Sequence, residues 1–290
     1  MPKKVKIGLF QVTTNYSWDT ATKLDHMYEL SKRCLSEGAE LVFMPEAYQY
    51  TNDRDILNRP ADLARISGEW QERCSELAKR YNAYIAPWDY EIDEQGRKYN
   101  ISYILNRTGE KVGHFRKVHL TYGELKWGMT NGTDFPVFDL DIGKVGIMIC
   151  FDNYWVEPAR ILGLRGAELI LYPLNGDTLR GGWELKMRAR AIDNSLYVAS
   201  SQIQNKYDVA YSGLVDPHGD VLAKLTKDAS HCVIEIETGL EVKVHSTGKA
   251  EYTENIREYL IKTRQIPAYG PLLEPVEAKS WEEICYNKLP

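Results

Sequence analysis

The chain has 290 residues, 43% hydrophobic and 27% charged, with a formal net charge of −5. This suits one large α/β domain or two ordinary ones, and is too long for a small disulfide-stapled module. No global positive field exists to hold nucleic acid or an anionic membrane, so neither is expected as a partner.

In chain order, residues 5–12 read as a buried strand. Leu24, Met27, Tyr28, Ser31, Cys34 and Leu35 then recur at helical spacing, with Gly38 as the stop. A short apolar run at 41–44 ends in Pro45-Glu46, which makes a strand–helix–strand beginning and implies a right-handed crossover. Trp70, Cys74, Leu77, Ala78 and Tyr81 form a second helical stripe, with Ser67 as its expected N-cap. Strands are predicted over 84–90, 100–106 and 111–115, the last two joined by a turn at Thr108-Gly109. A hairpin over 137–140 and 144–149 turns at Asp141-Ile142-Gly143 and runs into Cys150. A helix over 158–164 has proline near its first turn and Gly166 past its end. Residues 168–172 and 196–202 read as strands around a helix over 183–193. Strands over 211–215, 221–223 and 232–236 complete the sheets, and a helix is predicted over 254–263.

No repeat or Gly/Ser linker divides the chain, so residues 1–264 are read as one domain. Residues 265–290 are proline-punctuated and expected to form an extended arm on the domain or on a partner subunit. Several apolar strands lack clean alternation, so sheets covered on both faces are expected. The first twelve residues carry too short an apolar stretch for a signal peptide, and no apolar run approaches the roughly 20 residues of a membrane helix. The five cysteines, Cys34, Cys74, Cys150, Cys232 and Cys285, are odd in number and lack a CxxC pair. That scatter speaks against a disulfide framework or zinc ribbon and fits reduced thiols in a cytoplasmic protein.

Three strand ends carry reactive side chains: Glu46, Lys117 and Cys150. Together they supply a base, a cation and a nucleophile, which suffices for acyl transfer. A free thiol with pKa ~8.5 is only a few per cent thiolate at neutral pH, and a neighbouring carboxylate can take its proton as attack occurs. Each residue alone has a bland alternative, the thiol as core and the charges as surface ions.

Three segments occur in order and carry more than any one residue: FMPEAY at 43–48, FRKVHL at 115–120 and GIMICFD at 146–152. They resemble the three catalytic motifs of the nitrilase superfamily, the carbon–nitrogen hydrolases. Flanking segments at 135–152, 165–173, 188–202 and 212–224 are similar to the family's intervening elements, so the resemblance spans about residues 5–240. It implies an α/β fold, a four-layer α-β-β-α sandwich, and a homodimer or higher homo-oligomer. It implies hydrolysis of a small-molecule amide or N-carbamoyl substrate, with no metal and no cofactor. Cys150 would be the nucleophile, Glu46 the general base and Lys117 the holder of the oxyanion, helped by the backbone N–H of Phe151. Glu124 would support the triad or position substrate.

Cys150-Phe151-Asp152 resembles the Cys-aromatic-Asp of amidases and carbamoylases; nitrilases more typically have glutamate at the third position. Glu157 and Arg160 match the spacing of polyamine-type carbamoyl amidases, or else orient the helix after the nucleophile. The paired arginines of D-carbamoylases are replaced by Asn153 and Tyr154, which leaves Arg180 as a substitute anion holder. Tyr48, Tyr122, Trp127, Asn153, Tyr154 and Asn175 are the expected substrate-binding residues, with Tyr50, Trp155 and Trp183 also near the presumed mouth. His114 and His119 are read as structural. The alternatives are a nitrilase, acyl transfer to an acceptor other than water, and a catalytically silent interaction protein.

Overall fold

The computed structural model describes residues 2–176, 182–204, 211–225, 231–245 and 253–275. Its spine is β1 (Lys3–Thr13), whose apolar run is buried from Ile7 to Val12. One stretch pairs antiparallel with β13 (His231–Thr238) and parallel with β2 (Leu41–Phe43). Its last residues, Gln11 to Thr13, pair parallel with β10 (Tyr197–Gln204). Two sheets therefore meet along one strand. The first continues from β2 to β3 (Tyr84–Ala86), which pairs with β5 (Lys98–Leu105); β5 also pairs with β4 (Trp88–Ile92) and with β6 (Lys111–Arg116). The second runs from β10 through β9 (Leu169–Leu174) and β8 (Gly143–Ile147) to β7 (Val137–Leu140). On the other side of β10 it adds β11 (Ser212–Val215) and β12 (Val221–Leu225).

Helices α1 (Thr20–Ser36) and α2 (Pro60–Tyr81) cover the first sheet. The second is covered by α4 (Glu157–Leu164) and α5 (Gly182–Asn194). The result is the four-layer α-β-β-α sandwich expected from the motifs, and it explains the missing alternation. β9 is buried at every position because a sheet lies on one face and helices on the other. Close packing shows at Gly8 on β1, where an added Cβ would lie 2.7 Å from the Cβ of Cys34 on α1. Cys34 and Cys74 both sit fully buried on their helical stripes, as read from the sequence.

The structure departs from the sequence reading in several places. Ser67 lies inside α2, which begins at Pro60; a proline at the first helical position loses no intrahelical bond. The strand expected over 84–90 is two strands split at Pro87, which has no N–H for a ladder. A short helix, α3 (Tyr122–Lys126), was not foreseen, although Thr121 and Glu124 cap it reciprocally. Finally, Ile266–Leu273 is a 3-10 helix rather than an extended arm, entered from α6 (Ile256–Lys262); residues 276–290 lie outside the described residues.

Candidate active site

The ends of β2, β6 and β8 and the start of β5 converge. The chain leaves β2 through Pro45 and Glu46, then turns at Ala47, which has a left-handed φ of 61°. Lys117, just past β6, is anchored by its N–H donating to the carbonyl of Asn100 on β5 at 2.8 Å. Cys150, past β8, opens a 3-10 turn to Tyr154 with a φ of 45°. A non-glycine residue held there stores strain of order 1–3 kcal/mol, which the surrounding structure must impose. Two contacts do so: Tyr172 Oη donates to the Cys150 carbonyl at 3.1 Å, and Asp152 Oδ2 accepts from Ile149 N–H at 3.0 Å.

Lys117 Nζ lies 2.8 Å from Glu46 Oε1 and 2.9 Å from both oxygens of Glu124. Lys117 is 1% exposed, so this is a buried triad of charges, not a surface ion pair. Burial opposes the ammonium charge, but Glu46 and Glu124 outweigh it and hold the Lys117 pKa well above its ordinary value. Burial likewise opposes the Glu124 carboxylate, and Lys117, the Thr121 N–H and Asn100 outweigh it, so that pKa is lowered. The two carboxylates and one ammonium leave a net charge of −1 beside Cys150. Burial first, and then Glu46, push the Cys150 thiol well above its ordinary value, against the opposing pull of Lys117 and of the Asn175 N–H. Cys150 is therefore held as a thiol, and any attack by its sulfur requires that proton to leave.

Hydrogen-bond occupancy separates the two glutamates. Glu124 Oε1 accepts from Asn100 Nδ2 and Lys117 Nζ; Glu124 Oε2 accepts from Lys117 Nζ, Thr121 N–H and Thr121 Oγ1. No lone pair is left to take a proton. Glu46 Oε1 accepts from Asn100 Nδ2 and Lys117 Nζ and is also filled. Among the described residues, Glu46 Oε2 accepts only the Asn175 N–H, at 3.0 Å, which leaves one acceptor position. Glu46 can act as a base, while Glu124 is a counter-ion.

The remaining expected residues divide. Asn175 is brought to the site, through its main-chain N–H rather than its side chain. Tyr122 is half-buried under Lys126, 4.5 Å from the ring centroid. Trp127 and Tyr154 are partly exposed, the first beneath the Arg54 guanidinium at 5.2 Å, the second beneath Lys186 at 3.3 Å. Tyr48 is fully buried with its hydroxyl 3.0 Å from His26 Nδ1, so it offers no surface to a pocket. Asn153 is also fully buried, because the tight turn after Cys150 points it into the protein. Tyr50 and Trp183 are core residues; Tyr50 Oη donates to Asp89. Arg180 and Cys285 lie outside the described residues. Asp152 is fully buried and accepts from His119 N–H, with His119 Nδ1 also at 2.9 Å, and from Ile149 N–H. It ties the Cys150 turn to the Lys117 segment, while His119 stacks on Trp155 at 4.3 Å.

Sequence reasoning missed Asn100, Trp88 and Thr121. Only Thr121 carried a local signal, the Thr-x-x-Glu capping box.

A family model described as carbon–nitrogen hydrolase matches residues 6–240. The chain belongs to the carbon–nitrogen hydrolase family. Omega-amidase NIT2 of Homo sapiens is 31% identical over 209 residues, 67% of this chain and 75% of the human protein. The chloroplastic omega-amidase of Arabidopsis thaliana is 32% identical over 253 residues, 81% of this chain and 68% of that protein. Among solved structures, Nit3 of Saccharomyces cerevisiae, a member of branch 10 of the nitrilase superfamily, aligns with a TM-score of 0.70 at 25% identity, over 80% of this chain and 90% of that one. An amidase from Nesterenkonia sp. shares the fold at a TM-score of 0.76 and 19% identity, over 93% and 96% of the two chains.

Proposed function

We propose that this carbon–nitrogen hydrolase is an amidase acting through Cys150, Glu46 and Lys117. The observation that carries the reading is the acceptor position left open on Glu46 Oε2 among the described residues, beside an Asn175 N–H that also pulls the Cys150 pKa down. Cys150 Sγ forms a bond to the amide carbon as its proton passes to that oxygen. The carbonyl π pair moves to oxygen, where Lys117 and the Phe151 N–H stabilise the negative charge. The intermediate collapses, the C–N bond breaks, and Glu46 returns the proton to the departing amine. Water then adds to the thioester carbon while Glu46 takes its proton, and that proton goes back to the thiolate as the acid leaves.

Amides are favoured over nitriles and N-carbamoyl compounds by the omega-amidase relatives. A primary amide at the end of a carbon chain is the first substrate to test. The filled Lys117–Glu46–Glu124 network weighs against the catalytically silent alternative. The same proposal includes a cytoplasmic setting and a homo-oligomer. Leu185 and Ile192 on one face of α5, with Val156 nearby in sequence to α4, are exposed apolar side chains that support assembly. Sedimentation as a monomer at working concentration would refute that part.

The deciding experiment measures ammonia release from a panel of terminal amides, N-carbamoyl compounds and nitriles by wild type and Cys150→Ala. Release from the amides, lost in the variant and accompanied by an acyl adduct on Cys150 in the wild type, is the expected result. Equal release by Cys150→Ala overturns the nucleophile assignment. Turnover of nitriles alone replaces the amidase reading with a nitrilase, and added amines capturing the acyl group would identify a transferase.

A further inference from the structure

Asn100 and Trp88 have no place in the motifs, yet both are buried against the charged network, at 2% and 0% exposure. Asn100 Nδ2 donates to Glu46 Oε1 and to Glu124 Oε1, each at 2.7 Å. An amide side chain turned by 180° has nearly the same shape, so only its partners decide which way it points. Turned over, Asn100 would present its oxygen to two carboxylates. Trp88 forbids this, because its Nε1–H is donor-only and sits 2.6 Å from Asn100 Oδ1. The indole is itself held by Tyr90, edge-on at 4.7 Å, and by Tyr50 at 6.5 Å. The Trp88 carbonyl accepts from Gln49 Nε2 at 3.0 Å, which ties the strand to the segment carrying Glu46.

We propose that Trp88 and Asn100 are a positioning pair that makes Glu46 Oε2 the proton-accepting atom of the site. The inference rests on the amidase reading above and deepens it. Both amide hydrogens of Asn100 go to carboxylates, so it bridges Glu46 and Glu124 without adding charge. With Lys117 it fills Glu46 Oε1, which fixes the carboxylate's rotation and leaves Oε2 on the Asn175 N–H. A second lysine in this place would supply hydrogen bonds too, but would cancel the net −1 charge and with it the basicity that Cys150's proton transfer needs. Asn100 acts through Glu46 and touches neither nucleophile nor substrate in this scheme.

The test compares wild type with Asn100→Leu, Asn100→Asp and Trp88→Phe, using terminal-amide hydrolysis across pH and the pH profile of Cys150 alkylation by iodoacetamide, read by mass spectrometry. Asn100→Leu removes both donors; kcat is expected to fall about 100-fold with KM within about threefold. Asn100→Asp keeps the shape. Its carboxyl, crowded by two carboxylates, keeps a proton and one donated hydrogen bond at low pH and loses both as pH rises. Its activity therefore falls away from wild type toward alkaline pH, and its Cys150 alkylation profile moves to higher pH. Trp88→Phe keeps an aromatic ring, smaller than the indole, but not the N–H, and is expected to cost about 10-fold in kcat.

A KM-only effect in a folded Asn100→Leu overturns the proposal, as does an Asn100→Asp variant whose two pH profiles match wild type. If Asn100→Leu fails to fold, the isosteric Asn100→Asp and Trp88→Phe carry the decision. If wild type turns over no amide, the amidase reading fails, and the alkylation profile of Asn100→Asp still decides whether Asn100 controls the proton balance around Cys150.

Discussion

Glu124→Gln tests the counter-ion assignment most directly. Glu124 is 6% exposed, and its two oxygens accept from Asn100, from Lys117 twice, and from the Thr121 N–H and hydroxyl, at 2.7 to 2.9 Å. Glutamine has the same shape but puts an NH2 where one oxygen stood. In the Oε1 position that NH2 meets Asn100 and Lys117; in the Oε2 position it meets Lys117 and the Thr121 N–H. Either way donor faces donor. Breaking a buried ion pair costs about 3–5 kcal/mol, but Lys117 keeps Glu46, so about 2–4 kcal/mol is expected here. For 290 residues that corresponds to a Tm lower by about 3–7 °C in thermal unfolding. The lowered Glu124 pKa gives its contribution a definite pH sense. The contribution is present above the unfolded carboxylate value and lost as pH falls through the folded one. The Tm gap between wild type and variant should therefore hold from pH 7 down to the unfolded carboxylate value of about 4.3 and close below it. Glu124 also pushes the Cys150 thiol up, so the variant's Cys150 should alkylate faster at fixed pH while amide hydrolysis falls as Lys117 swings toward Glu46. An unchanged Tm with slower alkylation would refute the reasoning.

Other outcomes follow from separate parts of the molecule. Asp152→Ala leaves Ile149 and His119 N–H groups without their acceptor, at about 1–3 kcal/mol each. It should lower both Tm and the rate of Cys150 acylation; equal acylation in a folded variant would show the turn does not need it. Asp89 is buried at 2% exposure, and burial pushes its pKa up to about 7. A raised carboxyl means the native state binds the extra proton, so stability falls as pH rises from the unfolded value toward about 7. Asp89→Asn should accordingly stabilise the protein at pH 8 and do little near pH 4, as read by Tm at the two pH values; the opposite ordering would refute it. Iodoacetamide should label Cys150 before Cys34 and Cys74, because both of those thiols are fully buried on helix stripes. Peptide mapping that finds Cys34 labelled first would contradict the site.

The two halves of the site were unequally legible in the sequence. Cys150, Glu46 and Lys117 sit in ordered motifs at strand ends, where local sequence sets both residue and backbone. Asn100 is an ordinary residue on a strand, and its partners Glu46 and Glu124 lie 54 and 24 residues away. No periodicity announces such a contact. Asp152 looked like a discriminator between substrate classes; its side chain proves to be a strut between two loops. Tyr48 and Asn153 looked like pocket walls because aromatic and amide groups near a nucleophile suit that role. Both are fully buried in this structure, which composition does not reveal.

The sequence by itself determined that the sheets are covered on both faces and that a thiol, a carboxylate and an ammonium end three strands; the sandwich was implied by the motifs' resemblance to the nitrilase superfamily. The sequence did so because burial patterns and chemically reactive strand ends are local properties. Only the tertiary structure decided that Glu124 is a saturated counter-ion and that Glu46 keeps one open acceptor position. Lone pairs are filled by donors from β5, from the segment after β6 and from the end of β9, and only the pairing of the strands brings those donors together.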